Sequence, residues 1–295
     1  MSWKRTAFTA LLTVAVGAVT ALSVSAQKFG DSGGTDADVL SIGGSVTEIV
    51  VALGQQHRLK ARDTTSVYPS EITDLPDVGY MRALSPESVL SVGPSLILSE
   101  EGAGPPEALD VIRAANVDFV EVPEVLTIDG ILDKIKIIGT ALGVSEQATT
   151  LAAEVEKSMG DALVAAERPA DQKKRVLFVL STQGGRINAS GTGTAADAVI
   201  RMAGGVNAVT EYQGYKQMTD EAVGLAAPDL ILMMDRGGDH GVTDDELFGM
   251  PAMKLTPAAQ TRAVERMDGL LLLGFGPRTA QAIRRLHHVL YKQEA

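Results

Sequence analysis

A tyrosine and an arginine two residues apart, in the segment VGYMRALSPESVL (78–90), are the side chains of this sequence best placed to do chemistry. In an extended segment such spacing turns both side chains the same way, so we expect Tyr80 and Arg82 to lie side by side. A guanidinium beside a phenol favours the phenolate, which is a hard anionic ligand for ferric iron. The residues alone also allow a second interpretation, in which the Tyr80 ring packs on the protein and Arg82 faces solvent.

Histidine and cysteine offer little further chemistry. The sequence has four histidines and no cysteine, which excludes disulfides, zinc–thiolate sites and thiol nucleophiles. His287 and His288 are expected on the solvent face of a final helix, and His57 is expected in an exposed turn. His240 lies in the glycine-rich segment DRGGDHG after a strand, where a ligand could reach it.

Three glycine-rich turns follow apolar segments: SIGGS, STQGG and GTGTAAD. None completes a dinucleotide-binding motif, a P-loop or a nucleophile elbow. We therefore interpret them as tight turns between strands and helices, and we predict a protein that is not an enzyme. The net charge of −11 also argues against a nucleic-acid partner, because phosphate binding needs a basic surface.

The first 26 residues have the pattern of an export signal. Lys4 and Arg5 precede an apolar run, which ends in small residues before Gln27. We predict cleavage after about Ala26 and a periplasmic location, with residues 27–38 forming a flexible lead-in. The sequence offers no cysteine for a lipid anchor, so the mature chain is expected to be free in the periplasm.

Strand-like and helix-like segments alternate along the rest of the chain, which is typical of an α/β fold built from parallel sheets. The strand pattern disappears over 126–170, where helical spacing continues through one stretch of more than twenty residues. We predict an N-terminal lobe over 39–125, linking helices over 126–170 and a C-terminal lobe over 171–295. Two such Rossmann-like lobes joined by one long helix enclose a ligand cleft at the carboxyl ends of their strands.

An internal repeat supports two related lobes. The segment LSPESVLSVGPSLIL (84–98) aligns with MTDEAVGLAAPDLIL (218–232), each with a capping hydroxyl, a short helix, a proline and a strand. Glu87 and Glu221 occupy equivalent positions in this alignment. An acid in the first turn of a helix also stabilises that helix by itself, so the pair does not require a partner.

Several segments together resemble the periplasmic haem-binding proteins of bacterial haem ABC importers, over nearly the whole mature chain. They are VLSIGGSVTEIVVALG, ARDTTSVYP, LPDVGYMRALSPESVLSVGPSLIL, TAADAVIRMAGG, APDLIL and LGFG, of which GYMRALS is the most specific. The wider group also binds cobalamin and iron–siderophores.

The resemblance implies that Tyr80 is the axial ligand of a ferric haem b, carried as transported ligand. Arg82 and, on a looser match, Arg236 are implied to hydrogen-bond the phenolate, whereas we do not expect His240 to be a second ligand. Glu87 and Glu221 match the residues with which related proteins dock onto an inner-membrane permease dimer with its ATPase, downstream of an outer-membrane haem receptor. The alternatives are a siderophore or corrinoid carrier, or a periplasmic enzyme that uses the SIGGS or STQGG turns.

Overall fold

Alternating strands and helices build two sheets in the computed structural model, which describes residues 38–235 and 242–291. The N-terminal lobe contains β1 (Val39–Ile42), α1 (Gly44–Ala52), β2 (Leu59–Arg62), α2 (Pro86–Ser91), β3 (Leu96–Glu100), α3 (Pro106–Ala114) and β4 (Asp118–Val122). The linking helices are α4 (Ile128–Ala141) and α5 (Ser145–Ala166).

The C-terminal lobe begins with β5 (Arg175–Ser181), β6 (Ile187–Ser190), α6 (Ala195–Met202), β7 (Val206–Asn207), β8 (Tyr215–Met218), α7 (Asp220–Ala226) and β9 (Leu230–Asp235). It continues with α8 (Asp244–Gly249), α9 (Pro257–Thr261), β10 (Val264–Asp268), α10 (Gly269–Leu273) and α11 (Thr279–Tyr291). Short 3-10 turns occupy Gln56–Arg58, Ser70–Asp74, Ala170–Gln172 and Gln183–Gly185.

The first sheet is parallel throughout, in the order β2-β1-β3-β4, which confirms the prediction for this lobe. The second sheet has the order β10-β9-β5-β6-β8 and is mixed. Its β10, β9 and β5 are parallel, as the predicted parallel sheets require, but β6 runs antiparallel to both β5 and β8, and the sequence analysis did not predict this antiparallel part. The reason is local: Gly184 and Gly185 both have positive φ, which lets the chain reverse after β5 and return as β6.

Alternation along the strands divides the buried side chains between the two faces of each sheet. In β5, Val176 and Phe178 join a core that also contains α4, α5 and α11 side chains, while Leu177 and Val179 face a separate core of the C-terminal lobe. Ile97 of β3 likewise faces a third core, on the outer side of the first sheet. The largest core is therefore shared by both lobes and by the helices that link them.

The long helix predicted after Thr127 is present as α5, preceded by α4, whose N-cap Thr127 accepts a hydrogen bond from the Gly130 amide. Helix α5 packs against both α4 and α11, so it connects the two lobes. The helices within residues 38–235 and 242–291 include none with the length and apolar character of a membrane span.

Candidate functional site

A cleft of about 790 Å³ lies between the two lobes at the carboxyl ends of the strands. It receives residues that end or directly follow strands of both sheets. The lining residues are Gly44, Ser45, Thr65, Val67, Tyr80, Met81, Arg82, Glu100, Glu124, Leu180, Tyr215, Met234, Asp235, Asp268, Gly269, Leu270, Leu273 and Gly274. A cavity of this size falls in the range of small-molecule and cofactor sites.

The position of Tyr80 is fixed by the chain just before it. Asp77 forms an ion pair with Arg62 at the end of β2 (Nη1–Oδ2, 2.9 Å) and accepts hydrogen bonds from the Thr64 hydroxyl and the Gly79 amide. Gly79 has φ +101°, a conformation that a side chain would strain. The contacts of Asp77 and the backbone conformation of Gly79 therefore fix the path of the chain that brings Tyr80 to the cleft.

The segment that contains Tyr80 and Arg82 is a turn, so the expectation of an extended segment is wrong. The Ala83 amide donates to the Tyr80 carbonyl at 2.8 Å, which closes the turn. Gly104 holds the turn from outside, since its amide donates to the Met81 carbonyl and its carbonyl accepts from the Leu84 amide, both at 2.8 Å. Met81, the residue between Tyr80 and Arg82 in sequence, is buried in a core of the N-terminal lobe.

Tyr80 and Arg82 both line the cleft despite the turn. Tyr80 keeps 48 % of its surface exposed, and Arg82 is exposed as well. Among the described residues, no hydrogen bond joins the Tyr80 phenol to the Arg82 guanidinium, and neither group has another hydrogen-bond or ion-pair partner. Both side chains are thus available to a ligand in the cleft.

The floor of the cleft contains a buried charged network. The Lys134 ammonium of α4 is fully buried, forms an ion pair with Glu100 and donates to the Ser45 hydroxyl at 3.0 Å. Ser45 in turn donates to the Glu100 carboxylate. A Cβ at Gly43 would lie 2.6 Å from the Glu100 Cβ, so the SIGGS glycine makes room for this carboxylate.

The GTGTAAD turn is also filled by its own side chains. Asp197 is buried and accepts hydrogen bonds from the Gly193 amide and the Asn207 side-chain amide. The Asp197 amide donates to the N-cap Thr194 hydroxyl at 3.1 Å, as the capping pattern predicts. The loop therefore has a structural role in the beginning of α6.

The wall opposite Tyr80 belongs to the C-terminal lobe and is largely apolar, with Leu180, Met234, Leu270, Leu273 and Tyr215. None of these residues is predictable from the sequence alone, because they come from separate strand ends and form no local pattern. Burial raises the pKa of the Tyr215 phenol, and Glu124 adds to the effect, while Thr194 and Arg82 act in the opposite direction. Tyr215 is therefore a neutral hydrogen-bond donor at physiological pH.

Glu124, which follows β4, is a further cleft residue that the sequence analysis missed. Its side chain is exposed to solvent within the concave cleft. The surrounding protein partly desolvates the carboxyl and thereby raises its pKa. The charge of Glu100 raises the Glu124 pKa further, whereas Lys134 and Arg82 oppose the shift.

Two predicted candidates, Arg236 and His240, lie outside the described residues. The chain reaches Arg236 from Asp235, the last residue of β9, which lines the cleft. His57 and His288 are exposed, as expected. His287 is only half-exposed, because its Nδ1 lies 3.0 Å from the Ala203 carbonyl and its Nε2 lies 3.2 Å from the Arg168 guanidinium, so its placement on a solvent face is wrong.

No metal-binding group of three or more His, Cys, Asp or Glu side chains occurs in residues 38–235 and 242–291. This does not bear on a metal that arrives inside a ligand, for which one protein donor such as Tyr80 suffices.

Glu87 and Glu221 are exposed at equivalent positions of α2 and α7. Ser85 and Thr219 are the N-caps of the two helices, and each hydroxyl accepts from the backbone amide three residues later. Each glutamate follows its cap by two residues, and neither forms a salt bridge with any described residue. The internal repeat is thus present in the structure.

Comparison with known proteins identifies the family. The family model described as "Periplasmic binding protein" matches residues 39–269. The chain belongs to the periplasmic binding protein family.

Known structures of this family resemble the protein over most of its length. The periplasmic heme-binding protein BhuT, solved in complex with two hemes, is 38% identical with a TM-score of 0.83, and the match covers 88% of this chain and 99% of BhuT. The periplasmic heme-binding protein RhuT from Roseiflexus sp. RS-1, solved in apo form, is 35% identical with a TM-score of 0.83, over 87% and 98% of the two chains. In a comparison of sequences, a vitamin B12-binding protein of Vibrio cholerae is 23% identical, and the match covers 84% of this chain and 87% of that protein.

Proposed function

We propose that this periplasmic binding protein carries haem for an ABC importer and binds it in the cleft between the lobes. The observation that carries the proposal is the convergence of Tyr80 and Arg82 on a cleft of about 790 Å³ whose opposite wall is largely apolar. A porphyrin needs such apolar walls, and its ferric iron needs a hard donor. The likeness to haem-binding proteins at 38% and 35% identity supports haem over other ligands of the family.

In this proposal, the Tyr80 phenolate ligates the ferric iron. Arg82 lies in the same turn with a guanidinium that has no partner among the described residues, so it is free to stabilise the phenolate or to pair with a haem propionate. Arg236 would add a second cation from the C-terminal lobe, consistent with its place one residue after the cleft-lining Asp235.

Titration of the purified protein with hemin tests the proposal. We expect the wild type to give a saturable Soret band with the charge-transfer absorption of an iron–phenolate complex. Tyr80→Phe keeps the ring but removes the oxygen donor, so it should lose this absorption and at least tenfold in affinity, which corresponds to about 1.4 kcal/mol. An unchanged spectrum in Tyr80→Phe would refute the ligand assignment.

Tyr212→Phe is the matched control. The Tyr212 hydroxyl donates to the Ala189 carbonyl at 3.1 Å and does not line the cleft. This variant loses a phenol of the same kind away from the site and should bind hemin like the wild type.

A corrinoid is the second candidate ligand, because the vitamin B12-binding protein of Vibrio cholerae matches most of the chain. Cyanocobalamin binding tighter than hemin in the same titration would favour it. Such binding should not depend on the Tyr80 phenol.

The docking function of Glu87 and Glu221 is a further part of the proposal. Two exposed acids at repeated positions, one on each lobe, suit two cationic sites on a permease dimer, and their charges would steer the encounter. We expect Glu87→Gln with Glu221→Gln to abolish stimulation of the cognate ATPase in liposomes without altering hemin affinity. Full stimulation by the double variant would refute docking through these residues.

Export is proposed on the signal pattern of the first 26 residues. The mature protein recovered from a periplasmic fraction should begin at about Gln27, which N-terminal sequencing would show.

A further inference from the structure

The internal repeat extends beyond the two helices and relates the walls of the cleft. Both caps are followed at the same distance by a residue of positive φ, Gly93 (φ 60°) and Ala227 (φ 41°). The amides of these two residues make equivalent hydrogen bonds, to Leu90 at 3.0 Å and to Gly224 at 3.2 Å. Three residues later β3 and β9 begin. The two lobes therefore contain the same local structure, from the helix cap to the beginning of the strand.

Two cleft residues also occupy equivalent positions of the repeat, four residues before each helix cap. Four residues before the cap Ser85 is Met81, in the turn that carries Tyr80 and Arg82. Four residues before the cap Thr219 is Tyr215, and both Met81 and Tyr215 line the cleft. The C-terminal segment that corresponds to the Tyr80 turn thus supplies a tyrosine of its own.

The surroundings of Tyr215 fix its ring in the cleft wall. Tyr215 begins the edge strand β8 and pairs with Ser190 of β6. Its ring stands edge-to-face on the fully buried Phe178, with 6.3 Å between the ring centroids. Even so, 39 % of Tyr215 is exposed, on the side that faces the cleft.

The charges that act on Tyr215 come from the other lobe. Arg82 and Glu124 line the same cleft as Tyr215. Arg82 lowers and Glu124 raises the pKa of this phenol, in addition to the larger effects of burial, which raises it, and of a hydrogen bond with Thr194, which lowers it. The Tyr215 hydroxyl has a side-chain hydrogen bond with Thr194 that lowers its pKa, whereas the Tyr212 hydroxyl donates to the Ala189 carbonyl. An exposed aromatic ring that carries a neutral phenol thus faces an occupant of the cleft.

We propose that Tyr215 is the ligand-contacting residue of the C-terminal lobe, with its ring packed on the bound porphyrin and its hydroxyl donating a hydrogen bond to the ligand. The two lobes then hold the ligand with one tyrosine each, in different roles: Tyr80 as the iron ligand and Tyr215 as a neutral contact from the opposite wall. This inference rests on haem as the ligand.

Hemin titrations of Tyr215→Phe and Tyr215→Ala separate the ring from the hydroxyl. Loss of one neutral hydrogen bond should weaken hemin binding by Tyr215→Phe about two- to tenfold. Tyr215→Ala also loses the ring contact and should weaken binding more than tenfold. The iron–phenolate absorption should persist in both variants at saturating hemin, because Tyr80 is intact. Tyr212→Phe again serves as the control, with thermal unfolding of each variant to show that it is folded.

The outcomes distinguish this inference from the proposed function. If the wild type binds hemin and folded Tyr215→Ala binds it equally well, the contact is refuted while haem carriage stands. If Tyr215→Phe alone matches the wild type, the hydrogen bond is refuted and only the ring contact is supported. If the wild type shows no Soret band, haem carriage itself is wrong and the inference fails with it.

Discussion

Single acidic side chains decide much of the electrostatics of the cleft, and Glu124 is the clearest case. Its pKa is raised because desolvation and the neighbouring Glu100 both disfavour its charged form. By contrast, Glu100 itself forms an ion pair with the buried Lys134. Glu124 is thus a negative charge that folding places in an unfavourable position, as functional clefts often require.

The raised pKa has a defined consequence for stability. The penalty for the charged form is absent below the ordinary glutamate value of 4.5 and grows as the pH rises through the raised folded-state pKa. Glu124→Gln should therefore be more stable than the wild type at pH 7, by a few tenths of a kcal/mol because the side chain is solvent-screened. The difference should vanish at pH 4. Urea unfolding at both pH values measures it.

Glu156→Gln is the control for this prediction, because Glu156 is exposed in the middle of α5. The difference in unfolding free energy between Glu156→Gln and the wild type should be nearly the same at pH 7 and at pH 4. A Glu124→Gln variant that is less stable than the wild type at pH 7 would show that the charged form makes favourable contacts instead.

At the level of elements, the two linking helices depend on small residues where they cross. A Cβ at Gly139 of α4 would lie 2.2 Å from the Ala148 Cβ of α5, which is closer than packed atoms allow. Gly160, in the interior of α5, has open space around it. Glycine is therefore required by packing at position 139, whereas a side chain can be accommodated at position 160.

Alanine substitution should separate these two glycines. We expect Gly139→Ala to lower the free energy of unfolding by about 1–3 kcal/mol, because the helices must move apart. Gly160→Ala should raise it by about 0.5–1 kcal/mol, because alanine costs less backbone entropy in a helix. Thermal and urea denaturation of the two variants tests both signs, and a stabilised Gly139→Ala would contradict the close crossing.

Elements with local signals were predictable, and elements set by distant contacts were not. The cap Ser85 and the proline after it indicate the beginning of α2, and the structure confirms both. The strand β6 was missed because the STQGG turn was interpreted as a link to a helix, although two glycines also suit a reversal between antiparallel strands.

The residues of the site also fall into a group with a local sequence signal and a group without one. Tyr80 and Arg82 were found because they stand in one short segment that resembles a known motif. Tyr215 and Glu124 lie far from them in sequence and reach the cleft only through the packing of strands from both lobes. Even the local geometry depended on distant residues, since Gly104 holds the Tyr80 turn.

Over the whole molecule, the lobes are joined by α5 and also by a charged contact of Arg278 with Glu48 and Tyr68, which we call the clasp. Arg278, just before α11, binds Glu48 of α1 through its side chain at 2.9 Å, and its backbone amide donates to the same carboxylate at 3.2 Å. The guanidinium also stacks on the Tyr68 ring of the N-terminal lobe, 3.4 Å from the ring centroid. Glu48 is buried, so this carboxylate depends on Arg278 for its charge compensation.

The clasp should therefore contribute strongly to stability, and substitution of Arg278 tests this. Arg278→Ala leaves a buried carboxylate without its partner, so we expect a loss of roughly 3 kcal/mol, near the lower end for such pairs because Arg278 keeps 20% of its side-chain surface exposed. Arg284→Ala, in α11, is the control: Arg284 is exposed, its hydrogen-bond partners among the described residues are the Ser158 carbonyl and hydroxyl at 3.2 Å, and its loss should cost less than about 1 kcal/mol. Urea unfolding compares the two variants. Equal stabilities would mean that the shared core and α5 hold the lobes together without the clasp.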